Sequence, residues 1–432
     1  MARGAITGFP AGGALPLRTL HATLRSITER LAHELAQPGT QVPDWSATEW
    51  AIAPAVVAIH GVAALLQASL PWRGPPPWNE FLRTQATHVA QRAERIERVL
   101  RLLDLCARDA DLALVPLKGA ALHAFGVYRS GERPMADIDL LVSAAQEAAA
   151  LELLRQLGFH ETSRSWKHRV LEPGHRTVPA ALGEHADNGL RIELHCRVAE
   201  QLPLRAVDCS QLMFPPQRQP GLNGYPSRGA LLIHVLLHAA GALAVRELRL
   251  LHLCDIARLA ARMSAAEWQE TLQQLARLEG GPWWVYPPLA LAARYFGTIP
   301  PAALRQAEEA CHRRLRRAYR RCTIAQASAS YLWISALPGL AWPRSLRELG
   351  AYVGARFMPD AEARAQRREC AHSEPRISGG SWSQLSQRQR VLRYLLARQP
   401  RHLTLEPVRA ALRAAQPAQL QARAGSTPAT LA

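Results

Sequence analysis

Leu20, Leu24, Ile27 and Leu31 recur at spacings of three and four, which lays one apolar stripe along a helix. Residues 17–70 therefore read as helices. The most membrane-like stretch, 51–70, is mostly Ala and Val but contains His60 and Gln67. It is expected to be a buried helix rather than a transmembrane segment. The run Pro71-Trp72-Arg73-Gly74-Pro75-Pro76-Pro77 ends this region, because proline lacks the N–H and clashes with the preceding turn. A longer helix is predicted from about residue 78 to 106, with Ile96, Val99, Leu100, Leu103 and Leu105 on its apolar side.

The pattern changes at residue 112. Short apolar runs at 112–117 and 138–142 predict strands, as do 168–171 and 190–196. In the last of these Leu190, Ile192, Leu194 and Cys196 alternate with Arg191, Glu193, His195 and Arg197, the period of a half-buried strand. Ser143 with Gln146 three residues on resembles a capping box and predicts a helix over 144–157 that stops at Gly158. After Pro215-Pro216 the pattern is helical again, at 230–243 and 248–262. More helices are expected over 264–410, broken at Pro287-Pro288, Pro300-Pro301 and Pro338.

The expected fold is α+β: a small mixed-sheet core flanked by N- and C-terminal helical regions. The boundaries read as an N-terminal helical region 1–111, a core 112–200, a helical region 201–300 packing on it, a basic helical region 301–413, and a disordered tail 414–432.

Charge narrows the picture only in the last third. The chain has 432 residues, 52 basic and 35 acidic, for a net +17. Residues 301–432 hold 22 of the basic and 8 of the acidic side chains. That surplus admits a nucleic-acid or acidic partner, most of all at Arg313-Arg314-Leu315-Arg316-Arg317-Ala318-Tyr319-Arg320-Arg321. A solvated helix face explains the same run, because the bias is general: 50 of the basic residues are Arg and only Lys118 and Lys167 are Lys. The seven Cys form no C-x-x-C pair and are odd in number. Reduced thiols in a cytoplasm fit them better than disulfides or zinc.

The chemistry concentrates between residues 118 and 195. Asp137 and Asp139 are two apart on a predicted strand, so both carboxylates project from one face. Such a pair is costly without a cation between them, and Mg²⁺ favours a few carboxylates together with substrate phosphates. Glu193, on the later strand, would add a third carboxylate if the two strands are neighbours, and would stand ready to take a proton. His195 shares its face and is placed either to orient that carboxylate or simply to face inward. Lys118-Gly119, between a strand and a helix, suits phosphate: glycine allows close approach, the helix start offers free N–H groups, and Lys118 adds charge.

Lys118-Gly119-Ala120-Ala121-Leu122, then Tyr128, Arg133 and Asp137-Ile138-Asp139-Leu140-Leu141-Val142, then Leu157-Gly158-Phe159 and Ile192-Glu193-Leu194-His195-Cys196-Arg197-Val198, together resemble the uncharacterised nucleotidyltransferase family of the DNA-polymerase-beta-like superfamily. The likeness covers roughly residues 110–260, with Leu236-Leu237-His238 and Cys254-Asp255-Ile256 similar to the family's helical part. It implies a small mixed sheet with flanking helices, Mg²⁺-dependent attack on the α-phosphate of a nucleoside triphosphate, and release of pyrophosphate. Asp137, Asp139 and Glu193 match the metal-binding positions, and Lys118, Gly119 and Arg133 fall where the nucleotide would bind. Arg133 is placed either to hold the triphosphate or to pair with Asp137 or Asp139. The chain departs from the superfamily in having Lys118-Gly119 where Gly-Ser is usual, and Glu rather than Asp as the third carboxylate.

The acceptor is not identified; small molecules, peptides and sugar phosphates all fit. Two other readings stand beside transfer: a catalytically silent scaffold whose basic C-terminal helices bind nucleic acid or an acidic partner, and a toxin-like enzyme modifying a protein or RNA. His234 and His238, four apart on one helix with no glutamate between them, read as buried, hydrogen-bonded histidines. Asp255 is expected to pair with an arginine such as Arg249 or Arg258. No Gly-Lys-Ser/Thr phosphate loop and no Ser-His-Asp or Cys-His arrangement is visible in the sequence.

Overall fold

The stripe of Leu20, Leu24, Ile27 and Leu31 is buried along α1 (Leu17–Ala36). The computed structural model describes residues 5–6, 15–174, 182–203, 205–358, 385–386, 389, 392 and 398–424. A short antiparallel pair, β1 (Ala5–Ile6) with β2 (Leu15–Pro16), precedes α1. Next, α2 (Ala47–His60) opens on a capping box between Ser46 and Glu49 and ends at Gly61, whose φ is +66°. α3 (Ala63–Ser69) leaves at 112° to it. The apolar stretch 51–70 is thus buried but forms two helices, because the left-handed turn at Gly61 ends the first. α4 (Pro76–Asp109) runs for 34 residues. Its prolines lie at the start, where an N–H has no partner to lose.

The predicted strands form as β3 (Ala113–Pro116), β4 (Asp137–Leu141), β6 (His168–Pro173) and β7 (Arg191–His195). α5 (Lys118–Ala124) follows β3, and α6 (Glu147–Gln156) follows β4. Residues 144–146 make one 3₁₀ turn, so α6 begins later than the Ser143 signal suggests. The Ser143 hydroxyl meets the Gln146 side chain rather than a helix N–H. Like β1 and β2, four further strands lack a sequence signal: β5 (Phe159–Arg164), the hairpin β8 (Ala199–Leu202) with β9 (Arg205–Asp208), and the two-residue β10 (Gly221–Leu222). In β5, His160, Glu161 and Thr162 are all exposed, so no apolar alternation marks it. The six-stranded order is β10-β3-β4-β7-β6-β5, with β10–β3 and β4–β7 parallel and the other pairs antiparallel.

The C-terminal helices are α7 (Arg228–Val245), α8 (Leu250–Ala260), α9 (Ala265–Arg277), α10 (Tyr286–Phe296), α11 (Pro301–Ala310), α12 (Arg313–Tyr319), α13 (Ile324–Ala327), α14 (Leu346–Phe357) and α15 (His402–Ala424). Pro287-Pro288 and Pro300-Pro301 start α10 and α11 rather than break helices, the position where proline's fixed φ helps. α15 continues past residue 413. Residues 425–432 of the expected tail lie outside the described residues. Among the described helices only α7 is long and apolar enough to cross a membrane unaided, and 72% of it is buried inside the protein.

Two cores hold these elements. Ile96 and Leu103 of α4, Leu153 and Leu154 of α6, and Leu114, Ile138, Leu140, Ile192 and Leu194 of the sheet form one. Val115, Leu117 and Leu141 belong to the other, with α1–α3 and most C-terminal helices. Both faces of the sheet therefore meet helices, and the polar residues of β4 and β7 lie on the face turned away from the α4–α6 core.

Candidate active site

Alternation along β4 and β7 decides which side chains meet. Ile138, Leu140, Ile192 and Leu194 turn into the α4–α6 core, so Asp137, Asp139, Glu193 and His195 turn to the other face. The strands are parallel neighbours, with Asp137 opposite Arg191, Asp139 opposite Glu193 and Leu141 opposite His195. The three carboxylates expected from sequence are thus brought to one patch. Asp139 is 3% exposed. Its Oδ1 accepts from Lys118 Nζ at 2.6 Å and lies 3.0 Å from His195 Nε2. That imidazole is also 3.5 Å from Glu193 Oε2.

The charges are unevenly compensated. Burial pushes the Asp139 carboxyl up, but Lys118 and His195 outweigh it and hold it well below the usual range. Glu193 is lowered in the same way, its bond to His195 and the charges of Lys118 and His168 overcoming burial and the repulsion of Asp139. Asp137 goes the other way. Burial, then repulsion from Asp139 and Glu193, raises it to about 7, and among the described residues no cation pairs directly with it. Asp137 is thus the carboxylate of the three with no direct counter-charge. An all-oxygen donor set short of one cation suits a hard divalent ion such as Mg²⁺.

Lys118 reaches Asp139 because the Leu117 N–H bonds the Asp139 carbonyl at 2.8 Å, seating the next residue over the carboxylate. Its φ is +46°, a left-handed turn that strains a residue with a Cβ. Gly119 is needed for packing: a Cβ there would stand 2.7 Å from both Arg133 Nη1 and Met135 Cγ.

Arg133 does not reach the carboxylates. Its Nε and Nη2 donate to Asp255 Oδ1 and Oδ2 at 2.8 and 2.7 Å, and the Tyr128 hydroxyl donates to Oδ1 at 2.8 Å. Asp255 thus takes Arg133 in place of the expected Arg249 or Arg258. Arg258 instead pairs with Glu132 and lies over the Tyr128 ring. The motif's Tyr and Arg brace the sheet domain to α8.

Sequence reasoning missed four neighbours. Lys167 and Arg197 line one recess with Lys118, His195, Glu200 and His234, so both lysines of the chain face the same space. That scarcity was the available signal. Lys167 Nζ is 3.0 Å from Glu200 Oε1. His168 stands beside His195, its Nδ1 3.8 Å from Glu193 Oε2. Burial takes its pKa down to about 4. Arg92 of α4, 3% exposed, donates to the carbonyls of Met135, Ala136 and Asn188. Of the two histidines expected to be buried and hydrogen-bonded, His234 is, its Nδ1 2.6 Å from the Tyr225 hydroxyl; His238 is only half-buried, and its Nδ1, 3.5 Å from Glu200 Oε1, makes no hydrogen bond.

A mixed sheet presenting carboxylates from adjacent strands beside basic side chains is an arrangement suited to metal-assisted phosphoryl or nucleotidyl transfer. The chain belongs to the uncharacterised nucleotidyltransferase family, whose profile matches residues 46–297. The match begins at the N-cap of α2 and ends at the C-cap of α10, so it takes in α2–α4 as well as the span of likeness seen in the sequence. No curated protein and no solved structure matches the chain.

Proposed function

We propose that the chain transfers a nucleoside monophosphate from a Mg²⁺-bound nucleoside triphosphate to an acceptor (a small molecule, peptide or sugar phosphate) and releases pyrophosphate. The observation that carries this reading is the convergence of Asp137, Asp139 and Glu193 on one face of the parallel pair β4–β7, with Asp137 lacking a counter-charge. Bound Mg²⁺ would neutralise the phosphate oxygens and align the attacking and leaving groups. Asp137, Asp139 and Glu193 would hold it. Glu193 would also take the acceptor's proton, with His195 orienting it. Lys118, Lys167 and Arg197 give the recess beside the carboxylates its positive charge, which suits a polyphosphate chain. Arg133 has no part in that contact, and Gly119 serves the fit of α5.

The test is the thermal shift with each Mg²⁺–nucleoside triphosphate, for wild type and for Asp137→Asn/Asp139→Asn. A ligand at a hundred times its Kd stabilises by about 2.7 kcal/mol, which a melting curve resolves. A shift in wild type that vanishes in the double variant supports the reading. An equal shift in both would sink it.

The Lys118–Asp139 contact favours a second reading, since a lysine already sits where a metal would. In that case the core is a silent scaffold, and exposed Arg313, Arg317, Arg320 and Arg321 around α12 are what binds a nucleic acid or acidic partner. Such binding would weaken steeply with salt and survive the double substitution.

A further inference from the structure

We propose that His168, Glu193 and His195 form a mixed nitrogen–oxygen site for a later transition-metal dication such as Co²⁺ or Zn²⁺, beside the all-oxygen Asp137 corner and sharing Glu193 with it. This deepens the reading above, on which it rests for the role of Glu193. Among the described residues these three form the one group of such ligands whose donor atoms all lie within 4.8 Å of one another.

Three observations carry it. The scaffold is rigid: His168 lies opposite His195 in the antiparallel ladder β6–β7, and Glu193 is two residues from His195 on the same face. Ligands on sheet strands hold their positions better than ligands on loops. The spacing is close to that of a filled site. Bonds of about 2.0–2.2 Å place neighbouring donors roughly 3–3.6 Å apart, and here His195 Nε2 and His168 Nδ1 stand 3.5 and 3.8 Å from Glu193 Oε2. Finally, His168 Nδ1 is shut off from solvent and has no hydrogen-bond partner. An orphaned ring nitrogen in a packed sheet is costly unless something binds it, and a metal would.

The donor set also sets the selectivity. Imidazole suits Zn²⁺ and the other later first-row ions, whereas Mg²⁺ and Mn²⁺ prefer oxygen. Asp139, 3.0 Å from the same His195 Nε2, is placed to become a fourth ligand once that nitrogen binds the metal in place of its proton. A metal here would leave Asp137 to Mg²⁺, so one face would carry two ions of different chemistry bridged by Glu193.

Cobalt absorption tests this, on tag-free full-length protein with metal stripped beforehand. Wild type is expected to give visible d–d bands on titration with Co²⁺, reversed by Zn²⁺ and not by millimolar Mg²⁺. His168→Ala, His168→Gln and His195→Ala should each weaken cobalt binding at least about tenfold, while Asp137→Asn keeps the bands. Metal-free melting curves show which variants fold, and the milder His168→Gln carries the test if an alanine variant does not. Bands absent in wild type, or unchanged in a folded His168 variant, overturn the proposal. If the bands are absent while the Mg²⁺–triphosphate shift persists, only the imidazole site falls. If cobalt binds through the histidines and no triphosphate gives a shift, the metal site stands and the nucleotide reading falls.

Discussion

The Lys118 ammonium lies 2.6 Å from Asp139 Oδ1, so the chain supplies its own cation to a carboxylate expected to hold a metal. The carboxylate is buried and the lysine is largely so. Removing one partner of such a pair leaves an unpaired buried charge, at about 3–5 kcal/mol. Lys118→Met should therefore lower the metal-free melting temperature markedly. It should also enlarge the stabilisation gained on adding Mg²⁺, because the ion would take over the lysine's work. Melting curves with and without Mg²⁺ measure both, and a variant matching wild type in both would show that the contact carries no weight.

Asp137 predicts how stability responds to pH. Its folded pKa, about 7, lies above the ordinary carboxylate value. The folded chain then holds a proton that the unfolded chain has lost, and metal-free stability falls as pH rises from the usual carboxylate range to about 7. His195 acts with the same sign. Burial lowers its pKa, but its bonds to Asp139 and Glu193 raise it overall, so its contribution also fades as pH climbs. Asp137→Asn should flatten the metal-free curve over the acidic part of this range. Mg²⁺ binding to wild type should release a proton below neutrality, read by calorimetry in buffers of different ionisation enthalpy. Identical pH curves for wild type and Asp137→Asn would contradict the assignment.

Arg133 is predicted to matter for stability and not for the nucleotide. It donates two parallel bonds to Asp255, a geometry lysine cannot copy. Arg133→Ala should cost about 3–5 kcal/mol by stranding Asp255 in the interior, and Arg133→Lys less. The triphosphate-dependent shift should be retained in whichever variant folds. Chemical denaturation gives the first quantity. Loss of the nucleotide shift in a fully folded Arg133→Lys would return Arg133 to the site.

These cases show what the sequence made legible. The short apolar run at 138–142 and the period-two run at 190–196 predict both strands and the face of each carboxylate, and β4–β7 then brings Asp137, Asp139 and Glu193 together. The pairing of Arg133 with Asp255 was not legible, because local spacing says nothing of a partner 122 residues away on α8. His168 escaped notice for a related reason: it sits on a short strand whose antiparallel register with β7 no local pattern specifies. β5 went unseen because its exposed polar residues lack the alternation that a half-buried strand shows.

Arg92 lies in a helix far from the motif and yet fixes where the motif's strands begin. Its Nη2 donates to the carbonyls of Met135 and Ala136, immediately before β4, and its Nη1 donates to Asn188 O at 2.6 Å, shortly before β7. One buried guanidinium therefore ties together the entries of the two strands that carry Asp137 and Glu193. Lysine has a single ammonium in place of that fork and cannot span all three carbonyls. Arg92→Lys should lower stability by about 1–3 kcal/mol, the cost of buried acceptors left unsatisfied. It should also weaken Mg²⁺ binding, although Arg92 is not expected to touch the ion. Arg95→Lys, on the same helix and reaching only Asn188 and Ala186, is the control. If Arg92→Lys loses stability while its Mg²⁺ affinity equals that of the control, Arg92 supports the fold and does not position the site.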